Sequence, residues 1–400
     1  MAGPIRLIRW KTPQGQVRLG VSAGDDAVVA VDAILPGVCS VQSLRQHCRT
    51  QSISVAEWAA EILQGSSPRV DVSPDSWLAP LTLSELWAAG VTYEISRDAR
   101  EQETTSAQNF YARIYESHRP ELFFKAPGSR VAGPGDFVGL RRDATWHVPE
   151  PEMTVVLDDT GQVFGFTAGN DMTARDVEAQ NPLYLPQAKM FHHAAAIGPS
   201  LVLAGTVDPY DLTITLAIRR KGQTVFQGAT TTQKLRRSVE ELVEYLGRAL
   251  PLAPWTGLMT GTGIVPPDSF SVEDGDDIFI DISSIGTLYN RARIIGEPWV
   301  SVPTPPPRVV RIHPGDNVAV TLGGLERGQR VRLGNIEVTV QNAIPFGHKL
   351  ALGSIPQGGA VIKYGEIIGL ASCPIEPGEH VHIHNLESRR GRGDLASVGK

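Results

Sequence analysis

Short apolar segments separated by polar, glycine-containing turns recur along most of the chain. The stretches 154–163 (TVVLDDTGQV) and 213–226 (TITLAIRRKGQTVF) each place a polar turn between two apolar runs, a pattern that predicts β-hairpins. Apolar residues recur at helical spacing in 55–63 and, most clearly, in 233–250. The pattern therefore predicts a mainly β protein with some α-helix, an α+β fold class.

A proline-rich segment interrupts this pattern. Residues 302–308 read VPTPPPR, a composition that favours stiff, extended backbone and cannot lie inside a sheet or a helix. A softer change falls near residue 84, and after the prolines six short strand candidates follow one another, which is typical of a compact antiparallel β-barrel or clip. The predicted divisions are an N-terminal subdomain (1–84), a large segment (85–301), a linker (302–308), a small β domain (309–387) and a flexible tail (388–400).

The composition narrows the functional classes. Of 400 residues, 42% are hydrophobic and 20% are charged, which is the balance of a globular protein, and the net charge of −6 argues against a nucleic-acid partner. Three scattered cysteines exclude a disulfide framework, and no apolar run is long enough to cross a membrane. The N-terminus lacks the pattern of a secretory signal, so we expect a cytoplasmic protein.

Three carboxylates are predicted to meet at one end of a hairpin. Glu150 and Glu152 are two residues apart, so on a strand their side chains share one face. The turn at 158–161 would return the chain beside them and bring Asp171 close. Like charges so placed repel unless a cation lies between them, and three carboxylates suit Mg²⁺, Mn²⁺ or Ca²⁺ rather than zinc. An exposed acidic pair at the start of a strand is the alternative.

Three other residues are candidates for contact with a ligand. Lys189 lies among small and apolar residues, where it could hold a substrate carboxylate or carry a proton, although it could equally be a surface lysine. Thr262 and Thr287 each follow a glycine, which exposes hydroxyl and backbone N–H groups to an anion. Gly-Thr pairs are also common in ordinary turns.

The small β domain contains a histidine pattern of its own. His380, His382 and His384 alternate in EHVHIHN, so on one strand all three would share a face. This face could bind a metal, or it could be a solvated strand surface.

Seven stretches of the large segment resemble the fumarylacetoacetate hydrolase superfamily. They are GVTYEISRDAR (90–100), RPELFFKAP (119–127), VPEPEM (148–153), GNDMTARDVE (169–178), NPLYLPQAK (181–189), TGTGIVPP (260–267) and IGTLYN (285–290). The resemblance implies a mixed β-roll with a smaller N-terminal subdomain, assembled as homodimers or homotetramers. It also implies Mg²⁺ or Mn²⁺ on Glu150, Glu152 and Asp171.

The same resemblance suggests roles for further residues. Lys189 corresponds to the active-site lysine and Thr287 to a residue that helps hold the substrate carboxylate. The matching stretches also make Thr262, Lys125 and Arg175 substrate-binding candidates. The ion would bind the 2-keto oxygen and carboxylate of the substrate.

One departure points to a reaction class. Hydrolases and decarboxylases of the superfamily have a His/Glu pair soon after the first conserved tyrosine, but residues 93–99 (YEISRDA) contain no histidine. The chain resembles instead the 2-keto-3-deoxy sugar-acid dehydratases, especially those acting on 2-dehydro-3-deoxy-D-arabinonate, which implies a lyase forming a 2-oxo semialdehyde. Lys189 would assist proton transfer, and Glu178 would be either an acid–base group or a solvated helix residue. His118 could activate water in place of the missing pair. Hydrolysis or decarboxylation of a β-diketo acid is therefore the alternative.

The small β domain resembles a second family, the SAF or β-clip domain of altronate and galactarate dehydratases. HPGDNVAV (313–320), IPFGHKLALGSI (344–355), VIKYGEIIGLA (361–371) and IEPGEHVHIHNL (375–386) carry this resemblance. The large catalytic domain of those enzymes is not part of this chain. A further hypothesis is therefore that the chain docks through its SAF domain onto a separate altronate dehydratase-type large subunit.

Overall fold

The structure, a computed structural model, describes residues 3–24, 27–95, 115–249, 251–296 and 309–388. The chain forms two compact units, Met1–Gly296 and Glu297–Lys400. The predicted linker at 302–308 and the tail from 389 onward lie outside the described residues. Cys39, Cys48 and Cys373 are free thiols. No helix among the described residues has the length and apolar character needed to cross a membrane.

The first unit is built mainly from strands. Their bounds are β1 Arg6–Lys11, β2 Val17–Ser22, β3 Ala27–Ala30, β4 Arg69–Asp71, β5 Trp77–Leu78, β6 Glu85–Gly90, β7 Glu121–Pro127, β8 Val131–Ala132, β9 Phe137–Arg141, β10 His147–Val148, β11 Pro151–Leu157, β12 Val163–Asp171, β13 Thr173–Ala174, β14 Ala195–Leu203, β15 Thr213–Arg220, β16 Gln223–Thr231, β17 Thr256–Met259, β18 Asp277–Ile282 and β19 Gly286–Ile295. Both predicted hairpins are confirmed, since β11 pairs with β12 and β15 with β16, antiparallel in each case.

One sheet runs through most of this unit. Its order is β4-β3-β2-β1-β14-β12-β11-β17-β6-β7, with β5 on β1 and β8 on β14. The N-terminal strands thus continue the sheet that contains β11 and β12. Strands from both sides of the predicted boundary at residue 84 therefore share one sheet. Strands β11 and β14 are buried at every position, as expected where elements cover both faces of a sheet.

A second sheet packs against the first. Its order is β16-β15-β18-β19-β9, and burial alternates regularly along β18 because only one face meets the core. Val155 and Phe166 of the first sheet share one apolar cluster with Leu216 and Ile280 of the second. This packing holds the β11–β12 hairpin, which carries the candidate carboxylates, between two layers.

Five helices are described in the first unit. They are α1 Val41–Thr50, α2 Val55–Gln64, α3 Arg175–Gln180, α4 Leu185–Lys189 and α5 Val239–Gly247. The prediction of a helix at 55–63 is confirmed by α2. Helix α1 was not predicted, although a capping box of Ser40 and Ser43 begins it. The prediction of one helix over 233–250 is wrong, because Ser238 caps the backbone N–H of Glu241 and the α-helix begins only after it.

Residues 309–388, the described part of the second unit, form nine short strands. Their bounds are β20 Val309–Val310, β21 Val318–Thr321, β22 Arg330–Leu333, β23 Ile336–Thr339, β24 Lys349–Ala351, β25 Ala360–Lys363, β26 Glu366–Ala371, β27 His380–Val381 and β28 Leu386–Ser388. They form sheets of four, two and three strands, in line with the predicted clip of short strands.

Two strand candidates of this unit differ in the structure. AVIKYGEIIGLA (360–371) is a hairpin rather than one strand, because Tyr364 and Gly365 both adopt positive φ (63° and 75°), the conformation of a tight two-residue turn. The predicted histidine strand is also wrong beyond Val381. There a turn begins, closed by the hydrogen bond from Asn385 N to His382 O.

A buried carboxylate and lysine site

The β11–β12 hairpin brings the three predicted carboxylates together. Glu152 pairs with Gly169, and just beyond the strand end the backbones of Glu150 and Asp171 exchange two hydrogen bonds of 3.2 and 2.9 Å. Oxygen atoms of Glu150, Glu152 and Asp171 lie within 4.8 Å of one another. All three residues are at most 3% exposed, so they are not an exposed acidic pair.

Three basic side chains face these carboxylates. Lys189 Nζ lies 2.7 Å from Glu150 Oε2 and 3.0 Å from Asp171 Oδ2, while Arg175 Nη2 lies 3.0 Å from Glu150 Oε1. Lys125 contacts Asp171 Oδ1. The basic groups are as buried as the acids. The attraction within each acid–base pair therefore offsets the free-energy cost of removing both charges from water.

A 3-10 helix, Pro182–Tyr184, and the short helix α4 that follows it deliver Lys189 to the site. Asn181 accepts a hydrogen bond from Leu183 N, and Pro186 occupies the first turn of α4, whose last residue is Lys189. The lysine stem then runs inward, and its ammonium lies 5.7 Å from the centroid of the Phe123 ring. Lys189 is therefore not a surface lysine.

Lys125, a predicted substrate-binding residue, has its ammonium occupied by the protein. It donates to Met172 O at 3.0 Å and to Lys189 O, in addition to its contact with Asp171. A lysine has three donors, and these acceptors use all of them. Burial lowers the pKa of Lys125, and the charge of Asp171 opposes this effect. The structure thus places Lys125 behind the site, where it orients Asp171 and the end of α4.

The segment after β17 provides backbone and hydroxyl groups. Gly261 has φ of 94°, and a Cβ on it would lie 1.9 Å from Thr92 Oγ1, so only glycine fits here. Its N–H donates to Glu152 Oε2. Thr262 lines the same cleft as the carboxylates.

The structure does not bring Thr287 to this cleft. Thr287 is exposed on β19, where its hydroxyl donates to Asp281 Oδ1 at 2.7 Å. It lines a separate cavity together with Arg6 and Trp77. Of the two Gly-Thr candidates, only Thr262 therefore lies where it can contact a ligand of the carboxylates.

Glu178 is buried rather than a solvated helix residue. Its side chain is 3% exposed on α3, and its Oε2 lies 4.0 Å from Arg175 Nε. Glu178 is thus placed to act on Arg175, which in turn contacts Glu150. His118 is exposed, and Ser96 to Ala99, where the missing His/Glu pair would lie, are outside the described residues.

Two residues near the carboxylates, one of them lining the cleft, were not predicted as site residues. Tyr93 is 1% exposed, and burial together with the Glu152 carboxylate raises the pKa of its hydroxyl. Val91 lines the cleft with φ of 52°, a strained conformation for a β-branched residue. The sequence signal for Tyr93 was its position in the GVTYEISRDAR stretch, but backbone strain at Val91 has no signal in the sequence.

The residue set fits a divalent cation that binds oxygen. Burial, followed by the charges of Asp171 and Glu150, raises the pKa of Glu152 well above its ordinary value. A cation among the three carboxylates would relieve this repulsion. The ligand atoms are all carboxylate oxygens, which Mg²⁺ and Mn²⁺ prefer.

The buried carboxylates could hold a metal ion, and together with the fold they indicate the class of protein. The chain belongs to the fumarylacetoacetate hydrolase family, since residues 87–293 match the sequence model described as "Fumarylacetoacetate (FAA) hydrolase C-terminal". This match confirms the resemblance drawn from the seven stretches.

Two similar proteins of this family are dehydratases. The chain is 42% identical over 243 residues, 59% of its length and 82% of the relative's, to a Haloferax volcanii protein described as "Probable 2-keto-3-deoxyxylonate dehydratase". A solved structure of 2-keto-3-deoxy-D-arabinonate dehydratase, complexed with magnesium and 2,5-dioxopentanoate, is 30% identical with a TM-score of 0.61. The similarity covers 73% of this chain and 100% of that one.

The second unit matches another family. Residues 307–389 match the altronate/galactarate dehydratase SAF domain, as its motifs predicted. The Escherichia coli altronate dehydratase is 47% identical over 79 residues, which are 20% of this chain and 16% of that enzyme. The likeness thus concerns one small domain of that enzyme.

Proposed function

We propose that the chain is a metal-dependent dehydratase (a hydro-lyase) of a 2-keto-3-deoxy sugar acid and forms a 2-oxo semialdehyde and water. The observation that carries this proposal is the buried set of Glu150, Glu152 and Asp171 with Lys189 between two of them. The similarity to two dehydratases of 2-keto-3-deoxy pentonic acids supports the substrate class.

Different residues of the cleft would bind the metal, transfer protons and orient the substrate. Glu150, Glu152 and Asp171 would hold Mg²⁺ or Mn²⁺, which when bound supplies Lewis-acid polarisation of the 2-keto group and acidifies the C3–H bond. Lys189 Nζ, 2.7 Å from Glu150 Oε2 and 3.0 Å from Asp171 Oδ2, can hold or release a proton beside these carboxylates. Thr262 and Arg175 line the same cleft and can orient the carboxylate of the substrate.

The overall reaction balances without another reagent. A C3 proton and the C4 hydroxyl leave together as water, which forms a C3=C4 double bond. C5 then loses a proton while C3 regains one, and the resulting C5 enol becomes the carbonyl compound by moving its hydroxyl proton to C4. For a five-carbon acid the product is 2,5-dioxopentanoate.

The test compares two carboxylate-to-amide variants. We expect Glu152→Gln to abolish Mg²⁺-dependent turnover of 2-keto-3-deoxy acids, measured as loss of one water by product mass, without loss of fold by circular dichroism. Glu240→Gln, at an exposed carboxylate on α5, is the matched control and is expected to keep full activity. Unchanged turnover in a metal-stripped assay would overturn the proposal, and release of pyruvate or CO₂ would favour a hydrolase or decarboxylase instead.

We propose further that the enzyme works as a homodimer or homotetramer in the cytoplasm. Three free thiols support a reducing compartment. The SAF match supports a second role, docking on an altronate dehydratase-type large subunit. Size-exclusion chromatography with light scattering tests the first point. Absence of any large subunit from a native pull-down would refute the docking role.

A further inference from the structure

Four histidine side chains of the second unit gather at one place. His348 Nδ1 lies 2.8 Å from His380 Nε2. The ring of His382 stacks on that of His348 with centroids 4.6 Å and planes 11° apart, and the ring of His384 lies 5.3 Å from that of His380. The histidine cluster, defined as these four residues, exceeds the three-histidine face predicted from the sequence because tertiary packing adds His348.

The backbone holds the two closest rings on paired elements. His380 lies on β27 opposite Leu350 of β24, and His348 directly precedes β24. The carbonyl of His348 accepts a hydrogen bond of 2.9 Å from Thr321 N. His380 is in a strand and His348 is held next to one by this backbone hydrogen bond, so paired backbone on both sides fixes the spacing of the two nitrogens.

A well-defined turn carries the other two rings. Asn385 Nδ2 donates to His380 O at 3.0 Å, and Asn385 Oδ1 accepts from His382 N at 2.9 Å. Asn385 itself is 4% exposed. This asparagine closes the His382–Asn385 turn and keeps His382 and His384 beside the His348–His380 pair.

We propose that the histidine cluster is a second metal site, which binds a first-row transition-metal ion through His348 Nδ1 and His380 Nε2. The contact between two ring nitrogens requires one of them to be an unprotonated acceptor, and a metal ion can replace the shared proton. With metal–nitrogen bonds of about 2.0–2.1 Å, the observed separation corresponds to an angle of about 85–90° at the ion. This is the angle between neighbouring ligands in square-planar and octahedral sites.

The chemistry of the cluster selects the class of ion. Imidazole nitrogens suit Ni²⁺, Cu²⁺, Fe²⁺ and Zn²⁺, whereas Mg²⁺ prefers oxygen. The ammonium of Lys349 is a positively charged neighbour of His380, so a bound cation must form donor bonds strong enough to offset this repulsion. The right-angle geometry favours Ni²⁺ and Cu²⁺ over tetrahedral Zn²⁺, for which the two nitrogens would have to move apart.

Two observations determine how complete the site is. Among the described residues, only the carboxylate triad already presents three ligand atoms within 4.8 Å of one another. In the histidine cluster two nitrogens are in place, and rotation of the partly exposed His382 ring, whose centroid lies 4.6 Å from that of His348, would supply the third. Water or a carboxylate of a bound molecule would fill the remaining positions.

The test is a Ni²⁺ titration of the full, tag-free chain in excess Mg²⁺, which saturates the carboxylate site. We expect one equivalent of Ni²⁺ to bind, and His348→Gln and His380→Gln each to weaken binding by about tenfold or more. His313→Gln is the matched control, because His313 is exposed in the same unit and lies outside the cluster. We expect this variant to bind Ni²⁺ as tightly as the unaltered chain does. Absence of stoichiometric binding, or equal binding in all three variants, would overturn the proposal.

A second readout needs no variant. Diethyl pyrocarbonate modifies accessible imidazole nitrogens, and peptide mass spectrometry locates the modified residues. We expect Ni²⁺ to protect His348 and His380 while His313 reacts as before. Equal modification with and without Ni²⁺ would overturn the proposal even if a substituted chain failed to fold.

Discussion

The charges of the carboxylate site nearly cancel within the protein itself. Three buried acidic side chains are paired with three buried basic ones: Glu150, Glu152 and Asp171 with Lys189, Arg175 and Lys125. A single buried charge costs several kcal/mol, so removal of one partner would leave the others uncompensated. Because these charges balance, the proposed cation site could fold before any cation binds to its carboxylates.

A pair of threonines provides a test at the scale of single residues. We expect Thr262→Val to lower kcat/KM by about tenfold, the loss of one hydrogen bond of about 1–2 kcal/mol, because Thr262 lines the carboxylate cleft. Thr287→Val is expected to leave kcat/KM unchanged, because Thr287 hydrogen-bonds to Asp281 on the exposed side of the second sheet. Steady-state kinetics with the same substrate measure both, and the reverse order of effects would contradict this placement.

Among the elements, the β11–β12 hairpin matters most, because it carries the carboxylates. Asp158 closes its turn and is 4% exposed. Its Oδ1 accepts hydrogen bonds from Thr160 and Gln162, and its Oδ2 lies 2.8 Å from Arg45 Nη2 on α1. The turn therefore also fastens an N-terminal helix to the hairpin.

A substitution at this turn tests its contribution to stability. Burial acts to raise the pKa of Asp158, but hydrogen bonds from Thr160, Arg45 and Gln162 outweigh burial and lower the pKa. We expect Asp158→Asn to reduce the free energy of unfolding at pH 7 by about 1.5–3 kcal/mol, measured by urea denaturation. Asp159→Asn, at an exposed ion pair with Arg49, is the control and should cost about 0–1 kcal/mol.

The same comparison predicts a pH dependence. A carboxyl group whose pKa is lowered on folding stabilises the native state above its unfolded-state pKa, about 3.9. This contribution disappears as the pH falls through the lower folded-state pKa. The stability difference between the unaltered chain and Asp158→Asn should therefore be full at pH 5–7 and shrink below about pH 4. A difference that is constant down to pH 2 would show that the charge of Asp158 contributes nothing.

Local pattern predicted some elements well and others poorly. The β11–β12 hairpin followed from two apolar runs around a polar turn, and α2 followed from apolar spacing. Helix α1 was missed because only Val41, Leu44 and Cys48 form its buried face. The helix at 233–250 was predicted too long, because the apolar spacing already includes Leu235 although the helix begins only after its N-cap, Ser238.

At the scale of the whole molecule, the chain joins two compact units that match different families. The similarity to the solved dehydratase covers that protein's full length and 73% of this chain. The first unit, Met1–Gly296, makes up nearly the same share of this chain. The family match of 87–293 also lies entirely within the first unit. The candidate catalytic residues are therefore all in one unit.

This division predicts the behaviour of a shortened chain. We expect a chain of residues 1–296 to fold and to keep Mg²⁺-dependent dehydratase activity with unchanged KM. Residues 309–388 alone are the control and should show no turnover. Steady-state kinetics and thermal unfolding check both, and an inactive but folded 1–296 chain would show that the SAF unit takes part in the reaction.

The sequence by itself determined the two units, the carboxylate hairpin and the family, because these depend on local pattern and on motifs contiguous in the chain. Alternation placed Glu150 and Glu152 on one face, and a four-residue turn was enough to return Asp171 beside them. Tertiary structure alone decided which distant side chains meet them. It turned Lys125 toward protein acceptors, separated Thr287 from Thr262 and added His348 to His380, His382 and His384. These outcomes depend on the packing of elements far apart in the sequence, and residue spacing carries no information about such distances.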